Sequence, residues 1–327
     1  MGQQICSISL LTQPFSVVDR TAKNLERRFN YVKYKIRGDI YKAWTCTFPI
    51  GGHQDIVGSF LRGAKAYPGV EIRVNPSRSG AEGGIVYVPS GWKALRDAVG
   101  LKRAGKITKL ITGPVGNHLE DYDGLILDDA IDVCVVPCEW YKAQCEREAA
   151  EKKVRLDNIK VWPVGVDHIK WSPQDEKRDF HVDGALVYVK GRGAEALPQT
   201  EKVLADLGIS YKKIFCGSHT PDIYKAMLEW CGFVIYLGYS ETQGLALAQA
   251  WSMNRPTFVY EPDAVKAQGL DAAPYLTPET GMKWRCAEEL EQMLRNPHVF
   301  LPRDWVLNNQ TDAIAFGNFL KIVDGIK

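Results

Sequence analysis

Apolar positions along this chain follow two rhythms that alternate with each other. Short apolar runs, rich in Val, Ile and aromatic residues, predict buried strands at Ile5–Leu11, Ala43–Pro49, Val70–Val74, Gly84–Val88 and Lys109–Thr112. Further runs do so at Ala130–Val136, Ala185–Val189, Lys212–Cys216, Phe233–Leu237 and Thr257–Tyr260. Between them, apolar residues recur at helical spacing. Val17–Val32 is one such stretch, with Val17, Leu25, Phe29 and Val32 on its apolar side. Others run from His53 to Ala66, over Ser90–Leu101, from Trp140 onward, and over Pro221–Trp230, Leu245–Met253 and Glu288–Leu294. The tail from Asp304 to Ile326 has the same period. Strands alternating with helices predict a parallel, doubly wound α/β sheet, in which ligands sit beyond the C-terminal strand ends.

Length changes this picture first. At 327 residues the chain is long for one core and suggests about two domains. A net charge of +2 excludes a surface that is a general trap for polyanions. The eight cysteines have no CxxC spacing, and several lie in apolar runs, such as Cys134 in VCVVPC. They predict reduced, mostly buried thiols and a cytoplasmic protein. No secretory pattern opens the chain, and no run approaches the ~18 apolar residues of a membrane span.

Charge is uneven at the start. From Arg20 to Lys42 there are eight basic residues against Glu26 and Asp39, with Phe29, Tyr31, Tyr34 and Tyr41 between them. This composition fits nucleic acid, an anionic membrane surface, or a solvated helix followed by a strand.

Candidate chemistry gathers in the loops after strands. In FVIYLGYSETQGLALAQAWSMNRP, from Phe233 to Pro256, a strand passes through a Gly-bearing loop into a helix. That arrangement aims backbone N–H groups at an anion. Gly244 stands where loop becomes helix, Glu241 can accept from sugar hydroxyls, and Gln249 follows eight residues later, about two turns on. Lys190-Gly191-Arg192-Gly193 places two cations at a strand end. Gly51, Gly52 and His53 form a weaker turn of the same kind, and His118 ends the Gly113–His118 loop. Glu120–Asp123 suggests a solvated helix start, and no spacing of His, Cys and carboxylates suggests a metal.

Glu241-x-x-Gly244-Leu245-x-x-x-Gln249-Ala250-x-x-x-x-x-Pro256 resembles the EGFGLxxxEAxxxGxP signature of retaining, nucleotide-sugar-dependent glycosyltransferases of the GT-B fold, glycosyltransferase group 1 (family 4-like). Gln249 replaces the second Glu of that signature, and Asn254 replaces its Gly. Trp162-Pro163-Val164-Gly165-Val166-Asp167 through Trp171-Ser172-Pro173 resembles the family's PNGVDxxxFxP segment, and Val136-Pro137-Cys138-Glu139-Trp140 its VPSEW turn.

The resemblance implies two Rossmann-like doubly wound parallel-sheet domains facing a cleft. Residues 1–167 would form the acceptor domain, and residues 168–303 the donor domain. The C-terminal helix, about 304–327, would pack back on the first. It implies a UDP- or GDP-linked sugar as co-substrate, no other cofactor, no metal, and an acceptor hydroxyl on a saccharide or lipid-linked compound. Glu241, Arg192, Lys190 and His118 would be catalytic. Gly217, Ser218, Ser240, Thr242, Gln243, Gly244, Leu245 and Gln249 would hold the donor, with Gly51, Gly52 and His53 on the acceptor side. Two alternatives stay open: glycosylation of modified DNA bases, suggested by the basic start, and a non-catalytic nucleotide-sugar binder, suggested by Gln249.

Overall fold

The computed structural model of the protein describes residues 6–47, 54–113, 119–174, 184–296 and 298–326. The chain divides into two units. Unit 1 comprises Met1–Lys33, Thr45–Gly165 and Asp312–Lys327, and unit 2 comprises Tyr34–Trp44 and Val166–Thr311.

The first elements are β1 (Cys6–Leu10), α1 (Val17–Ile36), α2 (Ile40–Thr45), α3 (Gln54–Ala64), β2 (Val70–Val74), α4 (Arg78–Ala81), β3 (Ile85–Val88) and α5 (Trp92–Arg103). Next come β4 (Lys109–Thr112), α6 (Asp121–Gly124), β5 (Val133–Val136), α7 (Glu139–Lys152) and β6 (Ile159–Val161). Unit 2 continues with β7 (Ala185–Val189), α8 (Leu197–Asp206), β8 (Tyr211–Phe215), α9 (Pro221–Trp230), β9 (Phe233–Leu237) and α10 (Leu245–Ser252). The last are β10 (Thr257–Tyr260), α11 (Asp263–Ala267), β11 (Gly281–Trp284), α12 (Ala287–Arg295), α13 (Pro302–Asn309) and α14 (Asp312–Asp324).

Unit 1 holds a six-stranded parallel sheet in the order β2-β1-β3-β4-β5-β6. One face packs Ile8, Leu10, Tyr87 and Ile111 against Phe60 of α3 and Phe316 and Phe319 of α14. The other face packs Val86, Val88 and Leu110 against Leu95 and Ala98 of α5. Arg62 ties α3 to α14 through Asp312, with Nε donating at 2.6 Å.

Unit 2 holds a five-stranded parallel sheet in the order β11-β10-β9-β7-β8. Strands β7, β9 and β10 are buried along their whole length, which is why they read as unbroken apolar runs. Leu186, Tyr188 and Val234 pack on one face with Tyr224 and Trp251. Val187, Ile235 and Phe258 pack on the other with Leu204 and Leu290.

Two expectations need correction. The predicted strand Ala43–Pro49 is helical through Thr45, because Asp39 caps the turn: its Oδ1 accepts from Lys42 N at 3.0 Å, and its carbonyl from Ala43 N at 2.9 Å. The tail is two helices rather than one. The helical path breaks at Gln310–Thr311, where Thr311 bridges to Val166 and Gln310 O accepts from Val166 N at 2.9 Å. Among the described residues, no helix is long and apolar enough to cross a membrane.

Candidate donor site in unit 2

Strand order alone locates a crevice. From β7 the chain moves to β8 on one side, then crosses back to β9 on the other. In such sheets the opening lies beyond the C-terminal ends of the two strands where the order reverses, here β7 and β9. Lys190 follows β7 directly, and the Gly238–Gly244 loop follows β9.

These two loops are tied by charge. Lys190 Nζ donates to Glu241 Oε1 at 2.6 Å, and the Tyr236 hydroxyl donates to the same oxygen. Glu241 is 7% exposed. A carboxylate so withdrawn from water needs a cation and good donors, and it has both. Lys190 is part-exposed, so its charge also reaches solvent.

Backbone geometry holds the pair in place. Lys190 N donates to Leu237 O at 2.8 Å, closing β7 onto the end of β9. A Cβ on Gly193 would stand 2.2 Å from Leu237 O, so only glycine allows this approach. Gly244 starts α10 with φ +63°, a left-handed turn that other residues enter at a cost. Glu241 N donates to Asp271 O at 2.8 Å. Asp271 is fixed in turn by Lys283, which also bonds the buried Glu261 at 2.8 Å. Distance in sequence hid this support: nothing local links Glu261, Asp271 and Lys283 to Glu241.

Tyr236 stacks on Tyr188, with centroids 5.1 Å apart and planes at 11°. Burial holds both phenols well above the ordinary tyrosine range, Tyr236 also through the adjacent Glu241 carboxylate. They therefore act as hydrogen-bond donors, not as anions. His219 Nε2 lies 3.4 Å from the Tyr188 hydroxyl, and burial lowers its pKa from 6.5.

Other sequence-predicted residues of unit 2 lie on the segments that follow β7, β8 and β9 and on α10. Arg192 is exposed, with its guanidinium over the Tyr239 ring at 5.3 Å. Ser240, Thr242, Gln243, Leu245 and Gln249 are half-buried along the loop and α10. Gly217 and Ser218 follow β8, next to β7, and the Ser218 hydroxyl closes that turn by donating to Phe215 O at 2.6 Å. The Tyr41 ring lies over Gly217, within 4 Å of where a Cβ would stand; the sequence had placed Tyr41 only in a basic, aromatic run. Asn254 has φ +57°, which explains an Asn where the signature has Gly, since Asn also tolerates that conformation. Gly51, Gly52, His53 and His118 lie outside the described residues. Among the described residues no group of His, Cys, Asp or Glu is arranged to hold a metal.

No protein-family model matches the chain, and no curated protein matches it. Solved structures do. AviGT4, a glycosyltransferase involved in avilamycin A biosynthesis, is 11% identical over 98% of this chain and 97% of its own, with a TM-score of 0.50. The lipopolysaccharide outer core galactosyltransferase WaaB, in its apo form, is 10% identical over 97% and 99%, with a TM-score of 0.51. Alr3699/HepE of Anabaena, solved with UDP and glucose, is 10% identical over 98% and 99%, with a TM-score of 0.50. With its two parallel-sheet units, the chain has the GT-B fold of these proteins.

Proposed function

We propose that this chain is a glycosyltransferase. It would move a sugar from a nucleotide-sugar donor to an acceptor hydroxyl, with retention of anomeric configuration and without a metal ion. One observation carries the reading: the Lys190–Glu241 pair stands at the strand-order reversal of unit 2, beside the start of α10, in a chain with the fold of solved glycosyltransferases.

The chemistry follows from these groups. An ammonium has three N–H donors, so Lys190 can keep Glu241 and also meet a diphosphate. Arg192 offers a fork to the same phosphates. The amides after Gly244 and the positive end of α10 add neutral donors. Glu241 then grips the sugar hydroxyls, while Gln249 takes the ribose and Gly217–Ser218 the base side. The acceptor oxygen bonds to the anomeric carbon as the bond to the diphosphate breaks on the same face. The acceptor proton passes to the departing diphosphate. Catalysis is positioning plus stabilisation of the charge that develops on the leaving group.

HepE's complex with UDP and glucose makes a uridine-linked donor the first to assay, with guanosine-linked donors next. The test is release of nucleoside diphosphate from each donor by the purified chain and by its Glu241→Ala variant. The variant should fold, because the part-exposed Lys190 can be solvated, yet turn over on the order of a hundredfold more slowly. Wild-type-like turnover in the variant, or no turnover of any donor by the wild type, would sink the proposal.

A further inference from the structure

Helix α1 is amphipathic, but it presents its apolar side to solvent. At 100° per residue, Val18, Ala22, Leu25, Phe29, Val32 and Ile36 form one stripe about 27 Å long. Val18 is 79% exposed, Leu25 61%, Phe29 70%, Val32 54% and Ile36 81%. Half-buried instead are residues of the opposite face: Arg20, Lys23, Arg27, Asn30, Tyr31 and Tyr34. That polar face is anchored. Lys93 Nζ bonds Asp19 at 2.6 Å, Arg20 Nε donates to Pro14 O at 2.5 Å, and Arg27 donates to Cys46 O at 3.4 Å. Burial, with Arg27 nearby, also holds Lys23 below its ordinary range. The helix is therefore held by its polar side, and a continuous apolar stripe of this size needs a cover.

We infer that α1 docks the protein, through this stripe, on the surface of a bilayer containing anionic lipid. Charge selects that occupant. Arg28 and Lys35 flank the stripe and Arg37 lies exposed just beyond it, whereas Lys42 is paired with Asp39 at 3.0 Å; of the helix's two acidic residues Asp19 is already bonded to Lys93. Apolar residues bordered by cations suit an interface where acyl chains lie beneath negative headgroups. A second copy would bring the same cations against these, at a cost in repulsion. Nucleic acid fits less well. Base stacking needs several exposed aromatic rings among the cations, and of the four in this segment only Phe29 is exposed, while Tyr31, Tyr34 and Tyr41 are half-buried.

The test is co-sedimentation of the full chain with vesicles of phosphatidylcholine alone and of phosphatidylcholine mixed with phosphatidylglycerol. The chain should bind the mixed vesicles, and less as salt is added. Phe29→Asp should abolish binding without lowering the melting temperature, since its side chain lies in solvent. Arg28→Ala with Arg37→Ala keeps every apolar residue and should weaken binding about thirtyfold, or a little over fivefold per charge. The inference fails if the mixed vesicles are not bound, or are bound no better than phosphatidylcholine alone. It fails equally if Phe29→Asp only breaks up a dimer, or if DNA is retained and vesicles are not. None of these outcomes depends on the donor reaction.

Discussion

In unit 1 the strand order reverses beside β1, and in unit 2 it reverses beside β7. The topology is shared, but the groups at the two reversals differ. After β1, the N–H groups of Thr12 and Gln13 both donate to Asn75 Oδ1, at 2.8 and 3.1 Å, and Phe15 N donates to Asp97 at 2.7 Å. Those amides are already satisfied within the protein. After β7 a lysine meets a withdrawn carboxylate instead, and part of its charge still faces solvent. A parallel sheet supplies a crevice wherever its order reverses, but the side chains decide whether an anion is welcome there. On this account the donor belongs to unit 2.

The strongest way to break the contrast is Lys190→Met. It removes charge-assisted hydrogen bonds of about 1.5–3 kcal/mol, so nucleoside diphosphate affinity by calorimetry should fall roughly ten- to a hundredfold. Glu241 would keep the Tyr236 hydroxyl but lose its cation. Stability should drop by less than the about 3–5 kcal/mol of a fully buried broken pair, because Lys190 is part-exposed. Tyr236→Phe should come next. It keeps the ring against Tyr188 but removes one donor from Glu241, and turnover should fall about tenfold.

Asn75→Ala sharpens the comparison from the other side. Asn75 sits at φ +46° and also donates to Thr12 Oγ1 at 2.9 Å. Its loss should lower unfolding stability by about 1–3 kcal/mol while leaving nucleotide affinity unchanged. The smallest effect concerns pH. Burial lowers the His219 pKa from 6.5, so the folded state disfavours the imidazolium. That contribution to stability is complete above the unfolded value and is lost as pH falls below it. His219→Gln should flatten the decline of the melting temperature below about pH 6.5.

Much of unit 2 was legible in the sequence. Strands β7, β9 and β10 and helix α9 have the predicted bounds, because burial on both strand faces leaves an apolar run that turns interrupt sharply. Strand β11 was not predicted: Met282 and Lys283 are half-buried, which leaves neither an apolar run nor a clean alternation. The strand predicted at Ala43 had β-forming residues, but a single aspartate cap at Asp39 outweighed them. Lys190, Glu241 and Gly244 could be found because they sit in a short, spaced pattern. Tyr236 could not, since a tyrosine within an apolar strand does not reveal where its hydroxyl points. The outward stripe of α1 was equally hidden, because periodicity shows that a helix has two faces but not which one meets the protein.

The most direct test is hydrogen–deuterium exchange of the intact protein with and without UDP or GDP. Ligand binding should slow exchange at residues 190–193, 217–219 and 238–245 and leave residues 11–15 and 89–92 unchanged. Protection at 11–15 or 89–92, with none after β7 and β9, would contradict the assignment of the donor to the charged reversal.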